Sequence, residues 1–234
     1  MIKEVKTCWV GRLDYNHAYK LQEQLHKSVL SGSQDDVILV LEHNHCFTLG
    51  RRGKSEEILW DKTTLEKMGV KVIQTDRGGA VTYHGPGQLV GYFILDLNRF
   101  NKDIVTFVRS IEQGIINYLA RFSIDAFAIR GKTGVWTKRG KIAAIGLKVT
   151  KGVTMHGFAL NISTDLTYFS GIIACGLPDA QATSILQLTG NAPTVSQCSF
   201  DVIDEIGKAF GFKAVASDLS CVLHYTGISA NPVI

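Results

Sequence analysis

The sequence predicts an α/β (α+β) fold, a mixed β-sheet with flanking helices. Three observations carry this. Short apolar runs rich in β-branched residues, such as residues 37–42 (VILVLE), read as buried strands. Stripes of apolar residues at spacings of three and four read as helices between them. After residue 122 the periodicity changes to two and carries hairpin turn signals. Helices interspersed with hairpins, rather than regular strand–helix alternation, argue for a mixed sheet.

In chain order, Asp14 is placed to cap a helix that carries Ala18, Leu21, Leu25 and Val29 on one face. The strand at 37–42 follows. A short helix at 63–68 ends at Gly69, and 70–75 reads as another strand. A Gly-rich stretch, 77–88 (RGGAVTYHGPGQ), leads into an apolar strand reaching Leu97. The longest helical signal spans about 102–122, where Ile104, Phe107, Val108, Ile111, Ile115 and Leu119 form one stripe. Residues 134–137, the turn 138–140 and residues 141–150 predict a hairpin, continued by 153–162 after a second turn at Lys151-Gly152. Thr194 caps a final helix to about Phe210.

A chain of 234 residues is long enough for one sizeable core. With no repeat, linker or low-complexity tract, residues 1–234 are expected to form a single domain. The net charge of +4 comes from 25 basic and 21 acidic side chains. Nucleic-acid binding would call for a pI above about 9 and a basic stripe, so no nucleic-acid partner is expected. The five cysteines, Cys8, Cys46, Cys175, Cys198 and Cys221, are odd in number and form no CxxC pair. That argues against a disulfide framework and for a reducing compartment. The N-terminus lacks an apolar leader, and no run approaches the roughly 18 apolar residues of a membrane span. The expected address is the cytoplasm, with no membrane partner.

The densest local feature is 77–88. Its glycines allow close backbone approach to a ligand, while Arg77, Tyr83 and His84 add polar groups; a plain Gly-rich hairpin turn is the alternative. Gly85-Pro86-Gly87 lacks the third glycine of a dinucleotide fingerprint, and a strand follows it. There is no Walker A pattern and no GxSxG elbow. His43 and His45 would share one face of a strand, but nothing completes a metal site, so no metal is expected.

Among the thiols, Cys8 lies in a strand-like run and Cys198 on an amphipathic helix, where a cysteine acts as a small hydrophobe. Cys175 differs, because Gly176 and Pro178 imply a turn, and loops carry reactive groups more often than cores do. A reactive thiol needs a neighbour that favours thiolate. Strict alternation groups Lys141 with Ala143, Ile145, Leu147 and Val149 on an apolar face, where a lysine is partly desolvated and suited to accept a proton. A strand-end lysine reaching to water is the alternative.

Together these segments resemble the lipoyl(octanoyl) transferase family. The matching stretches are 77–88, 141–146 (KIAAIG), 156–161 (HGFALN) and Cys175-Gly176. Weaker matches are His43 with Thr48-Leu49-Gly50, Gly134-Val135-Trp136, and Thr183-Ser184. They occur in the family's order over about 14–210. The resemblance implies the biotin/lipoate protein ligase fold, a single catalytic domain and no cofactor. It implies transfer of an octanoyl group from octanoyl-acyl carrier protein to a lysine of lipoyl domains. The acceptors would be 2-oxoacid dehydrogenases and the glycine cleavage H protein. Cys175 would be the nucleophile, held for a time as an acyl thioester, and Lys141 its acid/base partner. Arg77, Gly78, Gly79, Ala80, Val81, Thr82, Tyr83 and His84 would form one wall of the substrate site. Ala144, Ile145 and Gly146 would form a second, and Gly157, Phe158 and Ala159 a third.

The family usually has prolines where Asn44, His45 and Phe93 stand, and a leucine where Ile185 stands. Two rival readings share the fold. An ATP-dependent lipoate or biotin ligase would need no cysteine, and a non-catalytic acyl- or lipoyl-binding module would show no turnover.

Overall fold

Each long helix begins where a short polar side chain satisfies its first backbone amides. In this computed structural model, which describes residues 2–173 and 181–220, Asp14 accepts from the Asn16 amide at the start of α1 (Tyr15–Ser31). Asp103 does the same for α3 (Ile104–Ala120) through Thr106. Thr194 and Gln197 cap α5 (Val195–Phe210) reciprocally. The shorter helices are α2 (Lys62–Lys67) and α4 (Ile185–Thr189).

The strands are β1 (Lys3–Leu13), β2 (Val37–His43), β3 (Cys46–Leu49), β4 (Lys71–Gln74), β5 (Val81–His84), β6 (Gln88–Ile94), β7 (Ala126–Ile129), β8 (Lys132–Thr137), β9 (Gly140–Thr150), β10 (Val153–Asn161) and β11 (Phe212–Ala216). Eight of them form a mixed sheet in the order β11-β1-β2-β6-β10-β9-β8-β7, and β4-β3-β5 form a second, smaller sheet. One face of the large sheet packs Phe93, Phe158 and Leu160 against Phe107 and Ile111 of α3 and Val202 and Ile206 of α5. The two helices meet closely at Gly114, where a Cβ would lie 2.5 Å from the Ile206 Cα. The opposite face is covered in part by α1, whose Ala18, Leu21, Leu25 and Val29 meet Leu39, Leu41, Val90 and Tyr92. The small sheet has its own core of Phe47, Tyr83 and Tyr168. Among the described residues, no helix is long and apolar enough to cross a membrane.

Two local features position the site. Gly85-Pro86-Gly87 is not a hairpin turn but a corner between sheets, since β5 pairs with β3 whereas β6 lies between β2 and β10. Gly87, at φ +79°, donates its N–H to Glu42 Oε1 at 2.6 Å, and its carbonyl accepts from the Ile162 and Ser163 amides and the Thr164 hydroxyl. The second feature is a bulge in β9. Val135 pairs with Ala143 but Trp136 pairs with Lys141, so β9 has one residue too many. Ile142 and Ala143 both join the core beneath the sheet. The alternation that grouped Lys141 with Ala143 and Ile145 therefore fails, and Lys141 opens on the other face, beside Ala144.

Candidate active site

Three chain segments meet at one cleft on that face. Its roof is the loop at 77–80. Arg77 is buried, and its guanidinium donates to the Thr48 carbonyl at 2.6 Å, the Thr48 hydroxyl at 2.9 Å, the Ala80 carbonyl at 2.8 Å and the Gly78 carbonyl at 3.0 Å. Backbone amides of Gly50, Arg51 and Arg52 donate to Ala80, Arg77 and Gly79. The Gly78 N–H donates to the Leu147 carbonyl at 3.0 Å, so the loop rests directly on β9. A Cβ on Gly146 would sit 2.6 Å from the Gly78 oxygen, and Gly79 holds φ +96°. Side chains at these positions would lift the roof.

The floor is built from small residues on adjacent strands. Ala144 faces Ala159 and Gly146 faces Gly157 across the β9–β10 ladder. Arg77, Gly79, Ala80, Val81, Thr82 and His84 line the cleft together with Lys141, Ala144, Ile145, Gly146, Gly157, Phe158 and Ala159. Two of the expected wall residues do not line the cleft. Gly78, within the roof loop, is turned onto Leu147, and Tyr83 is fully buried in the small sheet's core, its hydroxyl 2.9 Å from His45 Nδ1. Cys175 and Cys221 lie outside the described residues. Cys8, Cys46 and Cys198 are buried thiols, and burial pushes Cys198 up to about 12 and Cys46 higher still.

Lys141 is tied into the structure through its backbone on both sides. Its N–H donates to the Gln181 carbonyl at 2.8 Å, and its carbonyl accepts from the Thr183 N–H at 3.0 Å. A buried relay continues from there. The Thr183 carbonyl accepts from Asn161 Nδ2 at 3.0 Å, Asn161 Oδ1 accepts from Gln88 Nε2 at 2.9 Å, and Gln88 Oε1 accepts from His84 Nδ1 at 2.8 Å. The relay links the roof strand to the lysine strand with no buried charge.

The closed end of the cleft is aromatic and polar. His43 donates from Nδ1 to the Leu13 carbonyl at 2.7 Å, so Nε2 accepts the Tyr92 hydroxyl at 2.6 Å. Burial pushes His43 down to about 4 and His84 well below its ordinary value. His156, at φ +60°, donates from Nε2 to Asp76 at 2.8 Å. Burial also lowers His156, despite the carboxylate. The His156 hydrogen bond, reinforced by Lys148 at 2.5 Å, holds Asp76 well below the usual carboxylate range. Tyr15 stacks on His84 with ring centroids 5.9 Å apart. Its hydroxyl and His156 Nδ1 are buried with no hydrogen-bond partner among the described residues.

Tyr15 and Tyr92 were not singled out from sequence, and Gln88 and Asn161 entered only as the last residues of the stretches 77–88 and 156–161. The signal existed for Tyr92, which alternates with Val90 along β6 on the cleft face, as period two dictates. His43 and His45 do not share a site, because the chain passes from the large sheet to the small one between them. His43 joins the Tyr92 cluster, and His45 stacks on Tyr168 at 4.3 Å.

Residues 14–207 match the family model described as the lipoyl protein ligase A/B catalytic domain. An octanoyltransferase of Caldicellulosiruptor saccharolyticus is 45% identical over 90% of both chains. One from Solibacter usitatus is 46% identical over 86% of this chain and 87% of its own. A bipartite lipoate protein ligase of Thermoplasma acidophilum superposes with a TM-score of 0.70 at 15% identity, covering 99% of this chain and 100% of that one. At that identity the likeness speaks to fold alone. The matched model and relatives span the roof, the floor and Lys141, and the chain belongs to the lipoyl protein ligase A/B catalytic-domain family, among the octanoyltransferases.

Proposed function

We propose that this acyltransferase moves an octanoyl group from octanoyl-acyl carrier protein to a specific lysine of lipoyl domains, through a thioester on Cys175. In the first step the Cys175 thiolate attacks the carrier thioester. A new C–S bond forms, the bond to the carrier sulfur breaks, and the carrier thiol leaves with a proton. In the second step the acceptor amine attacks, an amide forms and Cys175 is released. Lys141 takes the Cys175 proton first and later serves the incoming amine as acid/base. The small floor residues Ala144, Gly146, Gly157 and Ala159 leave room for an alkyl chain, and the loop at 77–82 covers it.

The observation that carries this reading is the meeting of three separate segments at one cleft beside Lys141. A second support is that Gln181, six residues after Cys175 in the chain, is hydrogen-bonded to Lys141. The test is intact-mass measurement after mixing with octanoyl-acyl carrier protein, with ATP and magnesium omitted. One octanoyl adduct is expected, absent in Cys175→Ala, and it should chase to a lipoyl domain. An adduct and transfer that both persist in Cys175→Ala would sink the mechanism. A requirement for ATP would favour a ligase.

A further inference from the structure

The Lys141 side chain lies in a shaped slot. Its Nζ is 5.1 Å from the centroid of the Trp136 ring, within the range where an indole face attracts an ammonium. Trp136 is buried, and its Nε1 donates to the Lys132 carbonyl at 3.3 Å, which fixes the ring's orientation. The other wall is Gly134. A Cβ there would lie 2.5 Å from Lys141 Cε and 3.1 Å from Nζ, so the missing side chain is the space the lysine occupies. Gly134 also holds φ +124°, a conformation L side chains rarely adopt. From the far side of the sheet, Glu112 of α3 accepts the Gly134 N–H at 3.0 Å while pairing with Arg109 at 2.5 Å. The strand carrying both walls is thereby pinned.

We infer that Gly134 and Trp136 form a seat that fixes the Lys141 ammonium in place, which makes both of them positioning residues for acyl transfer. This rests on the reading of Lys141 given above. An indole face attracts a cation, so the seat holds the lysine's charge in one place, from which it favours thiolate at the residue it serves. It also stops the four-carbon stem from swinging toward water. Other charged or titratable groups face the same region. Lys132 Nζ lies 6.0 Å from the same ring, Glu112 and Arg109 stand behind the sheet, and Arg77, His84 and His156 line the cleft.

The test is the pH dependence of Cys175 alkylation by iodoacetamide in the full chain, read by peptide mass mapping, with circular dichroism to verify folding. Trp136→Leu is expected to move the alkylation midpoint up by about half a pH unit or more. It should also slow acylation by octanoyl-acyl carrier protein about tenfold. Trp136→Phe, which keeps a ring face, should retain most of both. Gly134→Ala should act in the same direction; because it also crowds the Ala143 carbonyl, Trp136→Leu carries the decision if Gly134→Ala does not fold. Lys141→Met separates the two ideas. If it shifts the midpoint but folded Trp136→Leu does not, the seat is overturned while the lysine's role stands. If Lys141→Met leaves the midpoint where it is, both fall.

Discussion

Gly78 and Gly146 press together backbone to backbone: a methyl group on Gly146 would come 2.6 Å from the Gly78 oxygen. The roof and floor of the cleft are therefore spaced by the absence of two side chains. Gly146→Ala is expected to push the 77–80 loop off β9 and weaken its bond to Leu147. Overpacking of this kind costs about 1–3 kcal/mol. Acyl transfer should fall tenfold or more, and an alanine variant with native melting temperature and native rate would refute the close fit.

Lys141→Ala should separate chemistry from stability. The backbone bonds to Gln181 and Thr183 do not depend on the side chain and survive the change. Melting temperature should move by only a few degrees, while acylation slows by about 10²–10⁴, the usual worth of a positioned acid or base. Single-turnover acylation followed by mass spectrometry measures this, and a native rate would remove Lys141 from the mechanism.

Asn161 is the central link of the buried relay, accepting from Gln88 and donating to Thr183. Asn161→Ala strands a donor and an acceptor away from water, each worth about 1–3 kcal/mol. Urea denaturation should show a loss of about 2–4 kcal/mol by the same reasoning. Transfer should fall as well, because Thr183 holds the Lys141 carbonyl. A loss confined to stability would mean that the relay supports the fold and not the lysine.

Four buried histidines set the acid side of the stability curve. Unfolded, each takes a proton near pH 6.5. Folded His43 resists until about 4, and burial lowers His26, His84 and His156 too. Between those values the unfolded chain binds more protons, so stability falls as pH drops through the window. His43 alone contributes a slope of about 1.4 kcal/mol per pH unit there. Asp76, held low by His156 and Lys148, adds stability that is present above about pH 4 and lost only as pH falls through its lower folded value. Urea midpoints should change little between pH 7.5 and 6.5 and fall steeply from there toward pH 5.5 and 4.5, and His43→Gln should flatten that fall by about one proton. Parallel curves for the two proteins would contradict this.

Much of this was legible in the sequence, and the failures have physical causes. The caps at Asp14 and Thr194, the stripe of α3 and the β8–β9 hairpin follow local rules, and local rules suffice for them. Strands β3, β7 and β11 have four or five residues each, too short for a period to declare itself. The Gly-rich segment could be seen to be special, but not that it turns a corner between sheets, because pairing partners are nonlocal. The bulge at Ile142–Ala143 defeated alternation outright. Counting by two placed Lys141 over the core, and only the register with Val135 and Trp136 shows that it stands on the cleft face.

The bond between Lys141 and Gln181 has a consequence for concentration. Cys175 precedes Gln181 by six residues, so covalent geometry alone keeps the two Cα atoms within about 22 Å. One thiol confined to a sphere of that radius is present at roughly 40 mM, whatever path the intervening chain takes. Free thiols elsewhere would have to reach that level to compete for the same lysine. For the proposed pair, the hydrogen bond that anchors Gln181 thus makes the encounter of thiol and amine a property of the single chain, independent of how dilute the enzyme is.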